Sequence, residues 1–468
     1  MATDGLSWRI SDVLEATGGR LVYGDEGVRL GSVGTDSRTI KEGELFVALA
    51  GERFDGHHFV DEALKKGARG VLVTDSYIEK GLPEDTATGQ ACVICVSDTL
   101  RALGDLAAFH RRRMPASVVA ITGTNGKTTT KEMTAAVLSQ TFHVLKTTGN
   151  FNNLVGLPLT LFSLTDAHEW AVLELGMNQP GEIRRLAEVC EPDVGVITNI
   201  GSGHLEGVQD IEGVMKAKGE LLEGLQDRGT AIVNIDDARI CKLAEGFEGR
   251  VVSFGIQGSA EVWAVPVSQT ATSTVFDLYW YDQSVRVRLR ICGRGAVYNA
   301  LAAAAVGYRL GLSIQEVKQG LESAVALPGR MGIIPLPGGI HLIDDTYNAN
   351  PDSMMQAIET LRELKGNGRG ILVCGDMLEL GEHARKAHQD LGVAVARAGL
   401  ARLYATGEFA DTVASAAVGA GMDPAHAFVG SHAEILEALR GRLGPGDWVL
   451  VKGSRLSAME QVVEGLQD

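Results

Sequence analysis

The sequence predicts an α/β protein of three domains, with parallel sheets at the heart of the second and third. Its 468 residues are too many for one ordinary hydrophobic core. From about residue 114, short apolar runs (SVVAIT, WAVLEL, VGVITNI) alternate with helical periodicity, the pattern of strands covered on both faces. A second succession begins near ALPGRM and runs through ILVCG, RLYATG, HAFVG and DWVLVKG with helices between them. It describes a doubly wound sheet of its own.

The elements follow in order. Residues 1–113 open with a short βα-like stretch and SVGTDSRTIKEGELFVAL, then a helix over HHFVDEALKKGA and strands at GVLVTD and CVICV. The amphipathic run TLRALGDLAAFHRRR closes this region with a basic end, a natural boundary. Residues 114–326 form the second region. Within it EVWAVPV, TVFDLYWY and SVRVRLRI alternate with period two and predict an antiparallel addition, before NALAAAAVGYRLGL returns to helix. Residues 327–468 form the third, with no solenoid repeat or low-complexity tract anywhere in the chain.

Composition narrows the function. At 45% hydrophobic and 22% charged residues, the chain reads as soluble and globular. No apolar run reaches membrane-span length, and MATDGLSWRI lacks the layout of a signal peptide, so a cytoplasmic location is expected. A net charge of −16 argues against a nucleic-acid binder, though not against an anionic small-molecule substrate. Cys92 and Cys95 form a CxxC, but it lies in a strand-like run with no second pair, so buried reduced thiols are expected.

The strongest local signal is SVVAITGTNGKTTTKEM, a buried strand entering a glycine-rich turn and then a helix. Gly123, Thr124, Asn125, Gly126 and Thr129 would place backbone N–H groups around phosphates. Lys127 would neutralise the β/γ-phosphates and Thr128 would ligate Mg2+. The spacing is G-x-x-G-K-T, shorter than the usual phosphate-loop motif, and the bland alternative is a solvated turn with an incidental lysine. Strand, glycines and helix together favour phosphate. Glu174, ending WAVLELG, is placed as a metal carboxylate beside such a turn, where alone it could equally be a strand-end residue facing water. His204 follows VGVITNI in a glycine-rich loop on the sheet edge where ligands bind, although a lone histidine is usually just polar. Lys216 and Lys218 share a helix, and spacing promotes neither.

GTNGKTTT, ELGMNQPGEI, NIGSGHLEG with AKGE, LPGRM and DDTYNANP occur in the order seen in the Mur ligase family, which the chain resembles over essentially its whole length. GNFNNLVGLPLTL, TTTKEM, YNANPDSM, GDMLELGE and VKGSRLSAME resemble the branch that handles D-alanyl-D-alanine, and the tripeptide-forming branch's DNPR is absent. TDSR…LFVALAGERFDGHHFV resembles a UDP-sugar-binding domain. The resemblance implies a UDP-muramoyl domain (1–113), a central P-loop domain binding ATP (114–326) and a Rossmann-like C-terminal domain that closes over ATP and binds the dipeptide (327–468).

It further implies an ATP- and Mg2+-dependent amide-bond ligase, a cytoplasmic and monomeric one. D-alanyl-D-alanine would be joined through an acyl phosphate to UDP-N-acetylmuramoyl-tripeptide, giving the peptidoglycan precursor. By the same resemblance Asp36, Ser37 and Arg38 hold the uridine nucleotide, and Asn150 and Asn153 face the muramoyl-peptide. Tyr347, Asn348 and Asn350 belong to the substrate segment of the third domain. Thr128 and Glu174 bind one Mg2+, His204 and a carbamylated Lys218 the second. Arg330 and Asp345 reach the γ-phosphate and nucleotide, and Asn299 the adenine. One departure stands out: Gly295 and Ala296 replace a usual His-Asn, so adenine contacts rest on backbone or other residues. The competing readings are a sister ligase (the tripeptide former or a folylpolyglutamate synthetase), a P-loop kinase and a non-catalytic nucleotide-binding regulator.

Overall fold

The computed structural model describes residues 7–51, 54–82, 91–203, 205–225, 229–257, 259–270 and 272–467. Its first large sheet has five strands, in the order Arg20–Tyr23, Cys92–Val96, Gly70–Thr74, Leu45–Val47 and Val33–Gly34, parallel except for the first. Every residue of CVICV is buried, as a strand covered on both faces requires. The cysteines of the chain are free thiols, and burial, with Asp75 adding to it, pushes Cys95 up to about 11. Such a thiol is inert, which removes redox and zinc readings of the CxxC.

The helix Thr99–Arg112 ties this sheet to the next. It starts where the Asp98 carboxylate accepts from the Leu100 and Arg101 amides at 2.8 and 3.0 Å, and it ends in His110, Arg111 and Arg112, a basic turn suited to the negative end of the helix dipole. Those same residues reach into the central domain. His110 Nε2 meets the Leu164 carbonyl at 3.0 Å, Arg111 Nε donates to the Cys190 carbonyl at 3.1 Å, and Arg112 pairs with Glu191 at 2.7 Å.

The central sheet has nine strands, in the order Gln283–Leu289, Thr274–Trp280, Val262–Gln269, Arg250–Gly255, Thr230–Asn234, Val194–Ile197, Ser117–Thr122, Trp170–Glu174 and Val144–Lys146. The period-two segments add to this same sheet, Thr274–Trp280 and Gln283–Leu289 running antiparallel, with Trp263 stacked on Tyr279 at 4.2 Å. What matters for function is the position of Ser117–Thr122. It lies between Val194–Ile197 and Trp170–Glu174 in parallel register, Ile121 opposite Glu174 and Thr122 opposite Ile197. The glycine-rich turn, Glu174 and the loop after Ile197 therefore emerge side by side at the carboxyl edge.

The third sheet has six strands: Gly332–Leu336, Ile340–Asp345, Trp448–Lys452, Gly370–Cys374, Arg402–Ala405 and Ala427–Val429. All neighbours are parallel except the opening hairpin. Asp345 and Lys452 end adjacent strands in register. Helix Pro351–Lys365 then starts under a cap, Asn350 accepting from the Ser353 amide with proline at the first position. One apolar cluster includes Leu205 and Val208 of the central region and Met377 and Leu380 of the third, so the two share buried surface. Among the described residues no helix is long and apolar enough to cross a membrane.

The helix that follows the glycine-rich turn, Lys127–Leu138, is held from behind by helix Ile314–Ser323, whose Gly320 lies against its backbone. A Cβ there would overlap Val137 Cα and stand 2.8 Å from the Ala136 carbonyl. Gly320→Ala is therefore expected to lower stability by about 1–3 kcal/mol. The denaturant midpoint should fall with an unchanged slope, and an unshifted midpoint contradicts the close approach.

Candidate active site

Two glycines shape the turn. Gly123 has φ +146° and Gly126 φ +81°, both outside the range other residues adopt comfortably. A side chain at Gly123 would also overlap the Thr198 hydroxyl, and one at Gly126 the Asn299 amide. The neighbouring loop fixes the turn from the side. The Thr124 amide donates to the Asn199 carbonyl at 3.0 Å and the Asn125 amide to Asn199 Oδ1 at 2.9 Å. The Asn125 carbonyl accepts from Thr198 Oγ1 at 2.6 Å.

Lys127 folds back over this turn, Nζ donating to the Gly123 and Thr124 carbonyls at 2.8 and 3.2 Å. Burial pushes its pKa down, the Glu174 carboxylate opposes that, and the Arg330 guanidinium adds to it. Arg330 belongs to the third region, so the field at Lys127 already registers that domain. Thr128 is buried directly beyond it.

Glu174 ends its strand 2% exposed. Its Oε1 accepts from Asn152 Nδ2 at 2.7 Å, whereas its buried Oε2 has no hydrogen-bond partner. A buried carboxylate oxygen left bare costs about 1–3 kcal/mol or more, and a cation removes that cost. No cluster of three or more His, Cys, Asp or Glu suited to a metal occurs among the described residues. The available donors, one carboxylate and one hydroxyl beside a phosphate turn, suit a hard ion that keeps water and phosphate oxygens in its shell. His204 lies outside the described residues.

Lys218 sits on helix Ile211–Glu223, 1% exposed, while Lys216 on the same helix faces solvent. Burial, and then the Lys127 charge, lower the Lys218 pKa well below its ordinary 10.5. An amine so placed holds its proton less readily than an exposed lysine does.

The third domain brings its own groups to the cleft. The Arg330 guanidinium lies over the Tyr347 ring, 3.9 Å from its centroid. Asp345 Oδ1 accepts from the Met331 amide at 3.1 Å, and its Oδ2 from Lys452 Nζ at 2.6 Å. Lys452, 3% exposed, also donates to the Asn348 carbonyl at 2.8 Å. Asp345 thus anchors the segment carrying Arg330. Asn350 pairs with Asn125 of the turn, one amide bond at 2.7 Å and its return at 3.3 Å.

These groups line one cleft of about 1030 Å³. Thr124 through Thr129, Glu174, Asn150, Asn153 and Asn299 face Arg330, Asp345, Tyr347, Asn348 and Asn350 across it. Gly123 and Lys218 lie outside the lining, Gly123 as the carbonyl under Lys127 and Lys218 in the core. Asp36, Ser37 and Arg38 also lie elsewhere, in the first domain after Val33–Gly34. There Arg38 Nη2 meets Asp36 at 2.7 Å and holds that carboxyl at about 2, and the Ser37 carbonyl accepts from Lys66 at 3.0 Å. Asn153 spends its Oδ1 on the Val155 and Gly156 amides at 3.1 and 2.8 Å. Gly295 lines the cleft, and a Cβ added to it would meet Gln356 Oε1 first, at 3.6 Å. Tyr298 lines the same cleft, and its hydroxyl donates to Asp236 at 2.9 Å.

Sequence reasoning passes over Asn152, Thr198, Asn199, Asp236, Tyr298 and Lys452. Asn152 stands in GNFNN, where nothing distinguishes it from its neighbours. Lys452 ends an apolar run, a position like that of Glu174, and the same logic would have found it.

Comparison with known proteins gives this site its class. Models described as Mur ligase family, catalytic domain; Mur ligase middle domain; and Mur ligase, glutamate ligase domain match residues 29–111, 121–307 and 329–455. The chain belongs to the Mur ligase family. It is similar to the UDP-N-acetylmuramoyl-tripeptide–D-alanyl-D-alanine ligase of Escherichia coli (strain K12), 38% identical with 99% of each chain covered. Among solved structures it is similar to MurF from Acinetobacter baumannii, with TM-score 0.90, 32% identity, and 99% of this chain and 100% of that one covered. It is also similar to the MurF ligase from Thermotoga maritima solved in complex with ADP, with TM-score 0.82, 29% identity and coverage of 93% and 97%.

The buried amine of Lys218 makes a prediction about pH. Its folded-state pKa lies below the unfolded 10.5, so folding disfavours its proton. The resulting penalty is fully present below the folded pKa and fades as pH rises towards 10.5. In CO2-depleted buffer, Lys218→Met should therefore raise the urea midpoint, most at the acidic end, with the gain shrinking as pH climbs. A gain that grows with pH contradicts the assignment.

Proposed function

We propose that this chain is an ATP-dependent ligase that joins D-alanyl-D-alanine to UDP-N-acetylmuramoyl-tripeptide, yielding the UDP-muramoyl-pentapeptide from which peptidoglycan is built. The single observation that carries the reading is the shared cleft. A phosphate turn on one sheet faces an arginine and the YNANP segment on another, in a chain similar to such ligases from end to end. The protein acts as a monomer in the cytoplasm.

The chemistry starts from a poor electrophile. The tripeptide carboxylate attacks the γ-phosphorus of ATP, a P–O bond breaks, and ADP leaves with an acyl phosphate formed. The amine of D-alanyl-D-alanine then attacks the acyl carbon, loses a proton, and phosphate departs as the amide forms. Backbone amides of residues 123–129 hold the β/γ-phosphates, with Lys127 exchanging its carbonyl partners for phosphate oxygens. Arg330 approaches the γ-phosphate from the third domain, held by Tyr347 beneath it and by Asp345 and Lys452 behind it. No protein nucleophile is needed.

Thr128 and Glu174 are the residues that would hold one Mg2+, and His204 with a carbamylated Lys218 the second; bound there, Mg2+ supplies charge neutralisation for the crowded phosphates. The Lys218 modification follows from its amine, which adds to CO2 with loss of a proton and becomes an anionic oxygen donor. Asn299 holds the adenine side of ATP, and Gly295 leaves the base to backbone and to residues such as Tyr298. Asp36, Ser37 and Arg38 receive the uridine nucleotide, Asn150 and Asn153 the muramoyl-peptide, and Tyr347, Asn348 and Asn350 the dipeptide.

The test uses purified protein, ATP, Mg2+ and UDP-muramoyl tripeptides ending in diaminopimelate or lysine, with a panel of dipeptides read by mass spectrometry. The expected product gains one D-alanyl-D-alanine less water, with ADP and phosphate released in step. A stable phosphorylated acceptor, or phosphate release indifferent to dipeptide, would point to a kinase or an idle ATPase. Lys127→Ala should cut turnover by at least about 10²-fold while UDP-substrate binding persists. Near-normal turnover in that variant sinks the phosphate assignment.

A further inference from the structure

We infer that Asp352 and Asn350 are positioning residues that set the register of the third domain on the phosphate turn, and that Gly201 and Gly203 are glycines to make room for them. The inference rests on the reading that the turn and the third domain share one substrate cleft. It adds to that reading a set of contacts between protein groups across the cleft.

Asp352 is the second residue of helix Pro351–Lys365, and its Oδ2 accepts from the Ser202 amide at 2.5 Å. Ser202 lies in the loop after Val194–Ile197, which is bonded to the turn in its own right. The Gly201 amide donates to Thr124 Oγ1 at 2.9 Å, and Thr124 Oγ1 lies 3.2 Å from the Gly201 carbonyl. Two residues before Asp352 on the third domain, the Asn350 side-chain amide exchanges hydrogen bonds with that of Asn125, whose backbone is pinned by Thr198 and Asn199. The two contacts bracket the Thr124–Asn125 corner of the turn.

The glycines decide between a designed fit and a chance meeting. Neither Gly201 nor Gly203 has a positive φ, so backbone conformation does not explain them. Space does. A Cβ on Gly201 would collide with Asp352 Oδ2, and one on Gly203 would stand 2.8 Å from Thr124 Cγ2 and 3.3 Å from Asn350 Nδ2. Asn350 is constrained as tightly by chemistry. Its Oδ1 caps the helix through the Ser353 amide at 2.9 Å while its Nδ2 donates across the domain boundary. Aspartate would cap equally well but has no hydrogen to donate, and serine would cap through an oxygen one bond nearer its backbone than the Asn350 amide nitrogen that reaches Asn125. The pair of contacts fixes where the following helix, and with it the segment carrying Arg330, stands relative to Lys127.

The test is a cycle of Gly201→Ala, Asp352→Ala and the double variant in the full-length protein. Gly201→Ala should lower kcat on the order of 10²-fold, the loss expected from about 1 Å of misplacement. KM for the UDP-substrate should stay near wild type. Hydrogen exchange should quicken in segments 199–203 and 350–354 and not in the three sheets. In the Asp352→Ala background the added methyl has nothing to strike, so Gly201→Ala should cost little further. Asn350→Ser, which keeps the cap, should reproduce the exchange signature. A normal kcat and exchange pattern in Gly201→Ala, or an effect of equal size with and without Asp352, overturns the inference. Exchange reports docking without turnover, so absence of ligation in the wild type would count against the proposed function alone.

Discussion

The rest of the structure depends on the contact between the phosphate turn and the third domain. Activating a carboxylate with ATP means driving one anion onto another, and the cations that make this possible come from separate sheets. Lys127 stands at the head of a central-domain helix, and Arg330 precedes the first strand of the third sheet. Burial lowers the pKa of Lys127 most, and the like charge of Arg330 lowers it further against the opposing Glu174 carboxylate. On the proposed function, a polyphosphate bound between them would turn the repulsion of Lys127 and Arg330 into attraction. On the same reading, nucleotide would favour the docked arrangement by binding it better, which is the only way a ligand can shift such an equilibrium.

The same logic runs through the buried groups. Lys218 is a buried amine in the core, and Glu174 carries a bare carboxylate oxygen a strand away from the turn. Each is costly alone, and on the proposed function a cation at Glu174 and a carbamate on Lys218 would offset those costs. Apolar residues would serve stability better at both positions, which is the physical ground for proposing a functional role for them.

How much of this is legible in the sequence varies with the range of the interaction. The parallel sheets are legible because burial on both faces writes itself into runs such as SVVAIT and CVICV. The turn is legible because strand, glycines and helix are adjacent in sequence, and Gly123 and Gly126 indeed adopt positive φ. Glycines that exist for space are not. Gly201 and Gly203 answer to side chains about 150 residues away, and nothing near them announces it. Lys216 and Lys218 are indistinguishable until helix packing buries one and leaves the other in water. The resemblance points to Asp345 as a nucleotide contact; the structure adds that its oxygens bond the Met331 amide and Lys452, a partnership between strand ends that only the folded sheet brings together.

The acyl phosphate is the chemical consequence of the whole arrangement, and it leaves an isotopic trace. If the tripeptide carboxylate is enriched in 18O, the oxygen that attacks phosphorus departs with the phosphate once the dipeptide amine displaces it. Mass spectrometry of the phosphate released during ligation should find one 18O per molecule, in equal number to the amide bonds formed. Phosphate that carries no label, with the amide nonetheless made, would mean that the carboxylate never reaches the γ-phosphorus, and the cleft would need another chemistry.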